Sequence, residues 1–280
     1  MTAFLKMHGL GNDFAVFDAR KGDVRLDPAL ARAVADRKSG VGCDQVIVIA
    51  PPRDGRADAE MHIFNADGGE VESCGNAARC VARWLMEEKH ATTLRIATPG
   101  GLLVCNGADG GRVSVDMGAP GLEWDEIPLA EPADTNGFAL QVDGEEFLAS
   151  AVSIGNPHCV LFVGDAERAP VAELGAKLEH HPMFPARVNT EFVTPLSRTR
   201  LRMRVWERGA GVTRACGTGA CAAAVAAHRR DLCARKVEVV LDGGRLEIEW
   251  RAGDNHVVMT GPATRVYRGE IDLAALGAAP

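Results

Sequence analysis

The sequence predicts a mixed α/β chain of the α+β kind: two pseudo-symmetric domains, each of antiparallel strands wrapped around one buried central helix. Three observations predict it. Short motifs occur twice in the same order, half a chain apart. Each copy contains a helix almost free of charge. The remaining segments read as short strands. Cys74 opens Cys74-Gly75-Asn76-Ala77-Ala78-Arg79-Cys80, and Cys216 opens Cys216-Gly217-Thr218-Gly219-Ala220-Cys221. The two cysteines lie 142 residues apart (216 − 74) in a chain of 280. Ile63-Phe64-Asn65 recurs at that offset as Val205-Trp206-Glu207. Gly11-Asn12-Asp13-Phe14 and Gln45 recur 144 residues on, as Gly155-Asn156-Pro157-His158 (155 − 11) and Asn189 (189 − 45). Leu94 to Pro120 parallels Val237 to Ala263, with Gly100-Gly101 in register with Gly243-Gly244. A repeat of this kind sets the architecture before any single element does.

The elements follow in order. Asp27 to Lys38 reads as a helix, with Asp27 as N-cap and Pro28 at the first helical position. Val46 to Ala50 is a short apolar run that suits a buried strand. Glu60 to Asn65, Thr93 to Thr98, Leu102 to Asn106 and Arg112 to Met117 read as further strands. In the second half Val160 to Val163 and Glu191 to Val193 are strands. Arg200 to Glu207 alternates basic residues outside with Leu201, Met203 and Val205 inside. Val237 to Leu241 and Arg245 to Trp250 form a hairpin around Asp242-Gly243-Gly244. Ala77 to Met86 carries only Arg79 and Arg83 as charges, four apart and so on one side. Gly219 to Ala227 carries none, and a helix apolar all round is a buried helix. Domain boundaries are expected at 1–118, joined by the tail 264–280, and at 119–263. The Pro-, Gly- and acid-rich segment 119–144 reads as a linker.

Composition narrows the function. A net charge of −7 and a pI near 5.7, with no basic stripe, argue against nucleic acid as the main partner. The N-terminus lacks the pattern of a signal peptide, and no apolar run reaches the length of a membrane span. Eight cysteines without a signal point to free thiols in a reducing cytoplasm.

The two cysteines carry the chemistry. Each stands where a buried helix begins, beside unpaired N–H groups and a partial positive charge. That setting favours thiolate and binds a carboxylate. Glycine after each cysteine lets a ligand approach the backbone. Two opposed thiols are what a cofactor-free racemase needs: one takes a proton from a carbon and the other returns one to the opposite face. The N–H groups would stabilise the charge that develops as the proton leaves. Other readings stay open. A zinc site would draw on the cysteines, although no Cys-x-x-Cys occurs. A Cys–His nucleophile could use His158 but leaves the repeat unexplained. Gly217-Thr218-Gly219-Ala220-Cys221-Ala222 fits a loose dinucleotide fingerprint, weakened because the strands around it read as antiparallel. Cys43, Cys80, Cys105, Cys221 and Cys233 read as small core residues; Cys159, next to His158, has no such assignment.

These motifs together resemble one family. Asn65-Ala66-Asp67-Gly68-Gly69 followed by Cys74-Gly75-Asn76-Ala77-Ala78-Arg79 is similar to the signature of the diaminopimelate epimerases. So are Gly9-Leu10-Gly11-Asn12-Asp13-Phe14, Gly42-Cys43-Asp44-Gln45, Gly155-Asn156-Pro157-His158, Val188-Asn189-Thr190-Glu191-Phe192, and Trp206-Glu207-Arg208-Gly209 leading to Ala215-Cys216-Gly217-Thr218-Gly219. The resemblance spans the chain in order. It departs at Gly69, where serine is expected, and at Cys43, where alanine is commoner.

The resemblance implies the diaminopimelate epimerase-like fold and a PLP-independent epimerisation of LL-2,6-diaminopimelate to the meso form, without cofactor or metal, in lysine and peptidoglycan precursor synthesis. It implies Cys74 and Cys216 as the acid/base pair, and Gly75, Asn76, Gly217 and Thr218 as donors of N–H groups to the reacting carboxylate. Asn12, Gln45, Asn65, Asn156, Asn189, Glu207 and Arg208 match further substrate contacts, with Arg208 suited to a bidentate grip on the distal carboxylate. His158 and Glu207 match positions that tune the thiols. Tyr267, the sole tyrosine, matches a homodimer contact, so the implied partners are a small-molecule substrate and a second copy. Within the same fold, a racemase of proline, hydroxyproline or histidine is the alternative; it would not need Arg208. A binding protein that has lost catalysis is the other.

Overall fold

A computed structural model describes residues 1–22, 24–72 and 74–277. The chain forms two compact units: Met1–Val115 together with the segment from Gly261 onward, and Asp116–Thr260.

The first unit runs β1 (Thr2–Gly9), β2 (Asn12–Asp18), α1 (Pro28–Ala35), β3 (Gln45–Ala50), β4 (Ala59–Asn65), β5 (Glu70–Val71), α2 (Gly75–Lys89), β6 (Thr93–Thr98), β7 (Gly101–Ala108) and β8 (Arg112–Asp116). The second runs β9 (Phe138–Val142), β10 (Glu145–Ser153), β11 (Pro157–Phe162), α3 (Val171–Glu179), β12 (Asn189–Ser197), β13 (Arg200–Glu207), β14 (Gly211–Thr213), α4 (Gly217–Arg229), β15 (Lys236–Leu241), β16 (Gly244–Trp250) and β17 (Val257–Gly261). β18 (Thr264–Ile271) and α5 (Leu273–Gly277) complete the first unit.

The repeat holds down to strand register. β2 and β3 run parallel with Phe14 opposite Gln45; β11 and β12 run parallel with His158 opposite Asn189. β4 meets β5 with Ile63 opposite Val71; β13 meets β14 with Val205 opposite Thr213. β4 runs parallel to β6 with Ala59 opposite Ile96; β13 runs parallel to β15 with Leu201 opposite Val239. Beside the antiparallel pairs expected from the sequence, each unit thus contains two parallel pairs. A parallel neighbour needs a crossover. α1 and α3 lie in one pair of crossovers, and the central helices α2 and α4 in the other. β18 pairs with β1 as β9 pairs with β10, so the C-terminal segment supplies the first unit with a strand that the second takes from just upstream.

Both central helices are buried. α2 packs on β1, β2, β6 and β7, and α4 on β10, β11, β12, β13, β15 and β16. Alanine at Ala77, Ala78 and Ala82, and from Ala220 through Ala227 around Cys221 and Val225, brings helix and strands close; all of these are buried. The outer helices cover second cores. Val34 and Ala35 of α1 join Phe4, Phe17 and Val46. Val171, Leu174 and Leu178 of α3 join Leu140, Leu161 and Phe192.

Three expectations change. The first helix stops at Ala35 rather than Lys38, because the Asp36 carboxylate accepts from the N–H groups of Lys38 and Ser39 at 2.8 and 2.7 Å. That local bond competes with continued helix. Its start is as read: Asp27 accepts from Leu30 N–H at 2.8 Å, with Pro28 next. The segment 119–144 is no linker. It buries Ile127 and Leu129 in the second core and contains β9. Elements absent from the sequence reading include β1, α3 and β9, although β9 alternates buried Phe138, Leu140 and Val142 with exposed Ala139 and Gln141. Gly175 on α3 shows how tight the outer packing is, since a Cβ there would lie 2.4 Å from Cβ of Trp206. Alanine gains up to about 1 kcal/mol in helix propensity, but overpacking costs about 1–3 kcal/mol. Gly175→Ala is therefore expected to lower the urea midpoint at unchanged slope; a raised midpoint would show that the contact yields.

Candidate active site

In the first unit the site residues gather where β2, β3, β4 and α2 begin or end. Two aspartates fix the loops. The Asp44 carboxylate accepts from Asp13 N–H at 3.0 Å and from Asn12 Nδ2 at 3.2 Å, while Asp13 Oδ1 accepts from Asp44 N–H at 3.0 Å. This reciprocal pair brings Asn12 beside Gln45. Gln45 Nε2 donates to Asn65 Oδ1 at 2.9 Å, its strand partner across β3 and β4. Gln45 Oε1 is buried and has no hydrogen-bond partner among the described residues, an unmet acceptor of the kind that a ligand donor satisfies.

Cys74 is the N-cap of α2, with extended φ and ψ of −147° and 109°. Its carbonyl accepts from Ala78 N–H at 2.9 Å, so helix geometry leaves the N–H groups before Ala78 without acceptors inside the helix. The Cys74 sulfur lies 4.0 Å from Asn12 Oδ1. Asn76 Nδ2 donates to that same oxygen at 3.2 Å. Asn76 Oδ1 accepts at 2.8 Å from Arg79, which is 0% exposed and also donates to the carbonyl of Pro262 at 3.2 Å. The sequence reading set Arg79 with Arg83 on one side of the helix. The structure makes Arg79 a buried cation that orients Asn76.

In the second unit Cys216 is the N-cap of α4, with φ and ψ of −113° and 114°, and accepts from Gly219 N–H at 3.4 Å. Thr218 Oγ1 lies 3.5 Å from the sulfur. Glu207, at the end of β13, is a hydrogen-bond partner of the thiol and of Thr213 Oγ1. Asn156 Nδ2 reaches Thr218 Oγ1 at 3.5 Å, and Asn156 Oδ1 lies 3.0 Å from His158 Nε2. His158 Nδ1 is 2.7 Å from Glu191 Oε1, both side chains being wholly buried. Asn189 works inside the protein: its Oδ1 accepts from Arg208 N–H at 2.9 Å and its Nδ2 donates to the carbonyl of Pro157 at 3.2 Å. Arg208 is exposed and donates to the carbonyl of Ala186 at 2.9 Å. Its turn is held by Glu179 of α3, which accepts from Trp206 Nε1 at 2.7 Å and from Gly209 N–H at 3.0 Å.

The electrostatics differ from the sequence expectation. The helix terminus was expected to favour thiolate at Cys216. Instead burial, then the charges of Glu207 and Glu191, push this thiol well above its ordinary value; hydrogen bonds from Thr218 and Gly219 N–H oppose the shift. Burial also raises the Glu207 carboxyl, against its bonds to Thr213 and Cys216. The antiparallel argument against the dinucleotide fingerprint does not stand, since β13 and β15 are parallel.

The model of the family described as diaminopimelate epimerase matches residues 4–123 and 150–266. The chain belongs to the diaminopimelate epimerase family. Curated diaminopimelate epimerases from Acidiphilium cryptum and Rhodospirillum centenum are 52% and 50% identical to it, each over 98% of this chain and over 97% and 93% of theirs. Among solved structures, a probable proline racemase from Agrobacterium radiobacter (TM-score 0.71, 18% identity, covering 98% of this chain and 93% of that one) shares the fold. A hydroxyproline epimerase from Agrobacterium vitis does so equally (TM-score 0.71, 18% identity, covering 96% and 90%).

Sequence reasoning missed Asp44, Glu179 and Glu191 as parts of this diaminopimelate epimerase site. Glu191 had a signal: a carboxylate directly before the apolar pair Phe192-Val193 in a strand segment read as buried. Removing the nearer charge tests the electrostatics. Glu207→Gln is expected to lower the pH midpoint of Cys216 alkylation by about one pH unit, as loss of a like charge does; a rise would reverse the assignment.

Proposed function

We propose that this chain interconverts LL- and meso-2,6-diaminopimelate by two-cysteine acid/base chemistry, in lysine and peptidoglycan precursor synthesis. The observation that carries the reading is the equivalent placement of Cys74 and Cys216 as N-caps of the two buried central helices, in a chain about half identical to curated diaminopimelate epimerases. The reaction needs both thiols at one α-carbon, on opposite faces. One, as thiolate, takes the α-proton while the C–H electron pair moves toward the carboxylate. The other, as thiol, gives its proton to the opposite face. N–H groups of Gly75, Asn76, Gly217 and Thr218 hold the reacting carboxylate and stabilise its growing charge.

The rest of the site grips the distal amino-acid end. Arg208 keeps guanidinium donors beyond its bond to Ala186 and binds the distal carboxylate. Gln45 Oε1 accepts from the distal ammonium, with Asn12, Asn65, Asn156 and Glu207 around it. Asn189 contributes by holding the backbone of Arg208, and His158 and Glu207 tune Cys216. Buried hydrogen bonders of this kind reject analogues that lack the partner groups.

The enzyme is a cytoplasmic homodimer in this reading. The eight cysteines are thiols rather than disulfides, which suits a reducing compartment, and no helix among the described residues is long and apolar enough to cross a membrane. Tyr267 is 46% exposed on β18 beside exposed Val266, its ring edge-on to Phe4. Tyr267→Ala is expected to shift the mass in sedimentation from dimer to monomer; a wild-type monomer would remove the contact.

Two further outcomes are expected. Reduced enzyme incubated with LL-diaminopimelate in D2O, without added cofactor, gains α-deuterium with meso product. Cys74→Ala and Cys216→Ala each lose about 10²–10⁴-fold, the range of general acid/base groups. Exchange on proline or histidine instead would overturn the substrate, and no exchange on any amino acid would leave a binding protein. Arg208→Lys, which replaces a planar fork by a point charge, should cut kcat/KM about tenfold or more, the loss of one charged hydrogen bond; near-normal kcat/KM would take Arg208 out of the site.

A further inference from the structure

One buried group in the second unit has no assigned task and no counterpart in the first. Glu191 stands on β12 at the position that Ile47 occupies on β3, and its partner His158 stands where Phe14 does; the registers of β2 with β3 and β11 with β12 establish both equivalences. Phe14 and Ile47 are fully buried apolar residues. The fold therefore needs no charge at either place.

Glu191 is nevertheless wired to the thiol. Its Oε1 is 2.7 Å from His158 Nδ1. His158 Nε2 is 3.0 Å from Asn156 Oδ1, Asn156 Nδ2 is 3.5 Å from Thr218 Oγ1, and Thr218 Oγ1 is 3.5 Å from Cys216 Sγ. The same carboxylate lies directly under the first turn of α4, because a Cβ added at Gly219 would be 2.6 Å from Oε1. Its other oxygen is buried with no hydrogen-bond partner among the described residues. A carboxylate kept at that cost, where an isoleucine serves in the other half, is retained for something other than packing.

We propose that Glu191 is a positioning residue for Cys216: it fixes His158 with its Nδ1–H toward the carboxylate, and so holds the chain His158–Asn156–Thr218 in place and keeps the thiol protonated until a ligand arrives. This rests on Cys216 being one of the two proton-transferring thiols. The two ring nitrogens of His158 face Glu191 Oε1 and Asn156 Oδ1. The titratable groups around Cys216 are Glu207 from β13, Glu191 from β12 and His158 from β11. The two carboxylates raise the thiol, in accord with the geometry.

Iodoacetamide alkylation of the intact reduced chain, read peptide by peptide by mass spectrometry from about pH 6 to 11, separates the two thiolates. In Glu191→Gln the midpoint of Cys216 is expected to fall by about one pH unit, while that of Cys74 stays. An unchanged Cys216 midpoint in a folded variant, or an equal shift of both cysteines, overturns the proposal. If Glu191→Gln does not fold, the wild-type chain decides. Histidine-selective NMR, assigned with His158→Gln, should show a far-downfield, slowly exchanging Nδ1–H on His158, and its absence overturns the proposal. These readouts need no substrate. A failure of deuterium exchange with diaminopimelate would refute the proposed reaction and leave the thiol titration standing.

Discussion

Each unit is organised by one constraint: a helix surrounded by strands must begin somewhere in the interior. The buried turns of α4 are alanine, glycine, cysteine and valine, and those of α2 add Asn76, Arg79, Leu85 and Met86 to the same small residues, so strands close tightly over both helices. The first N–H groups of such a helix have no acceptor within it. A buried helix start thus carries an electrostatic demand, and everything around Cys74 and Cys216 answers it. In the first unit the amide side chains of Asn12 and Asn76 meet there, with Arg79 behind them. In the second, Glu207, Thr218 and the sulfur itself do so. Aspartates and glutamates farther out, Asp13 with Asp44 and Glu179, hold the loops that bring these groups in.

Much of this was legible in the residues. The repeat offsets translate directly into matching strand registers, since a strand pair is defined by which residues stand opposite. Alternation placed β13 at Arg200–Glu207 and put Leu201, Met203 and Val205 inside, where they are. Asp27-Pro28 marked the start of α1 by its capping chemistry. What failed had physical causes. Asp36 ended α1 through its own side chain, a competition that periodicity does not register. The acid- and proline-rich stretch 119–144 looked solvated because its buried residues, Ile127, Leu129, Phe138 and Leu140, are spread thinly among polar ones. Strand direction was misjudged because hydrophobic patterning carries no sign of whether a neighbour runs parallel.

The site was legible as a set of residues and less so as a field. Asn12 with Asn76, Gln45 with Asn65, and Cys216 with Thr218 and Glu207 meet as groups within their own units. Asn189 proved to be a backbone holder. The thiol's setting could not be read from its place at a helix start, because the dipole is one contribution among several. For Cys216, burial and two carboxylates outweigh it. Those carboxylates come from strands 25 and 9 residues upstream (216 − 191 and 216 − 207), and only the fold puts them beside the sulfur.

The two units then pose a question that packing alone cannot answer. They share topology, register and a cysteine at the start of the central helix, yet each buries a polar or charged group where the other has an apolar side chain. Arg79 occupies the place of Cys221 by the 142-residue offset, and Glu191 with His158 occupies the place of Ile47 with Phe14. A buried ion pair is at best a weak source of stability, and well-packed apolar residues of similar volume often serve as well or better. Each unit demonstrates the apolar solution for the charge that the other carries. If folding were the only requirement, both units could use apolar residues at both places. The two-thiol reaction proposed above supplies the missing requirement, because at any instant one sulfur must hold a proton and the other must not. Identical settings would leave that choice to chance. Different buried groups near the two helix starts, Arg79 with Asn76 in one unit and Glu191 with His158 in the other, make the settings unequal before any ligand binds.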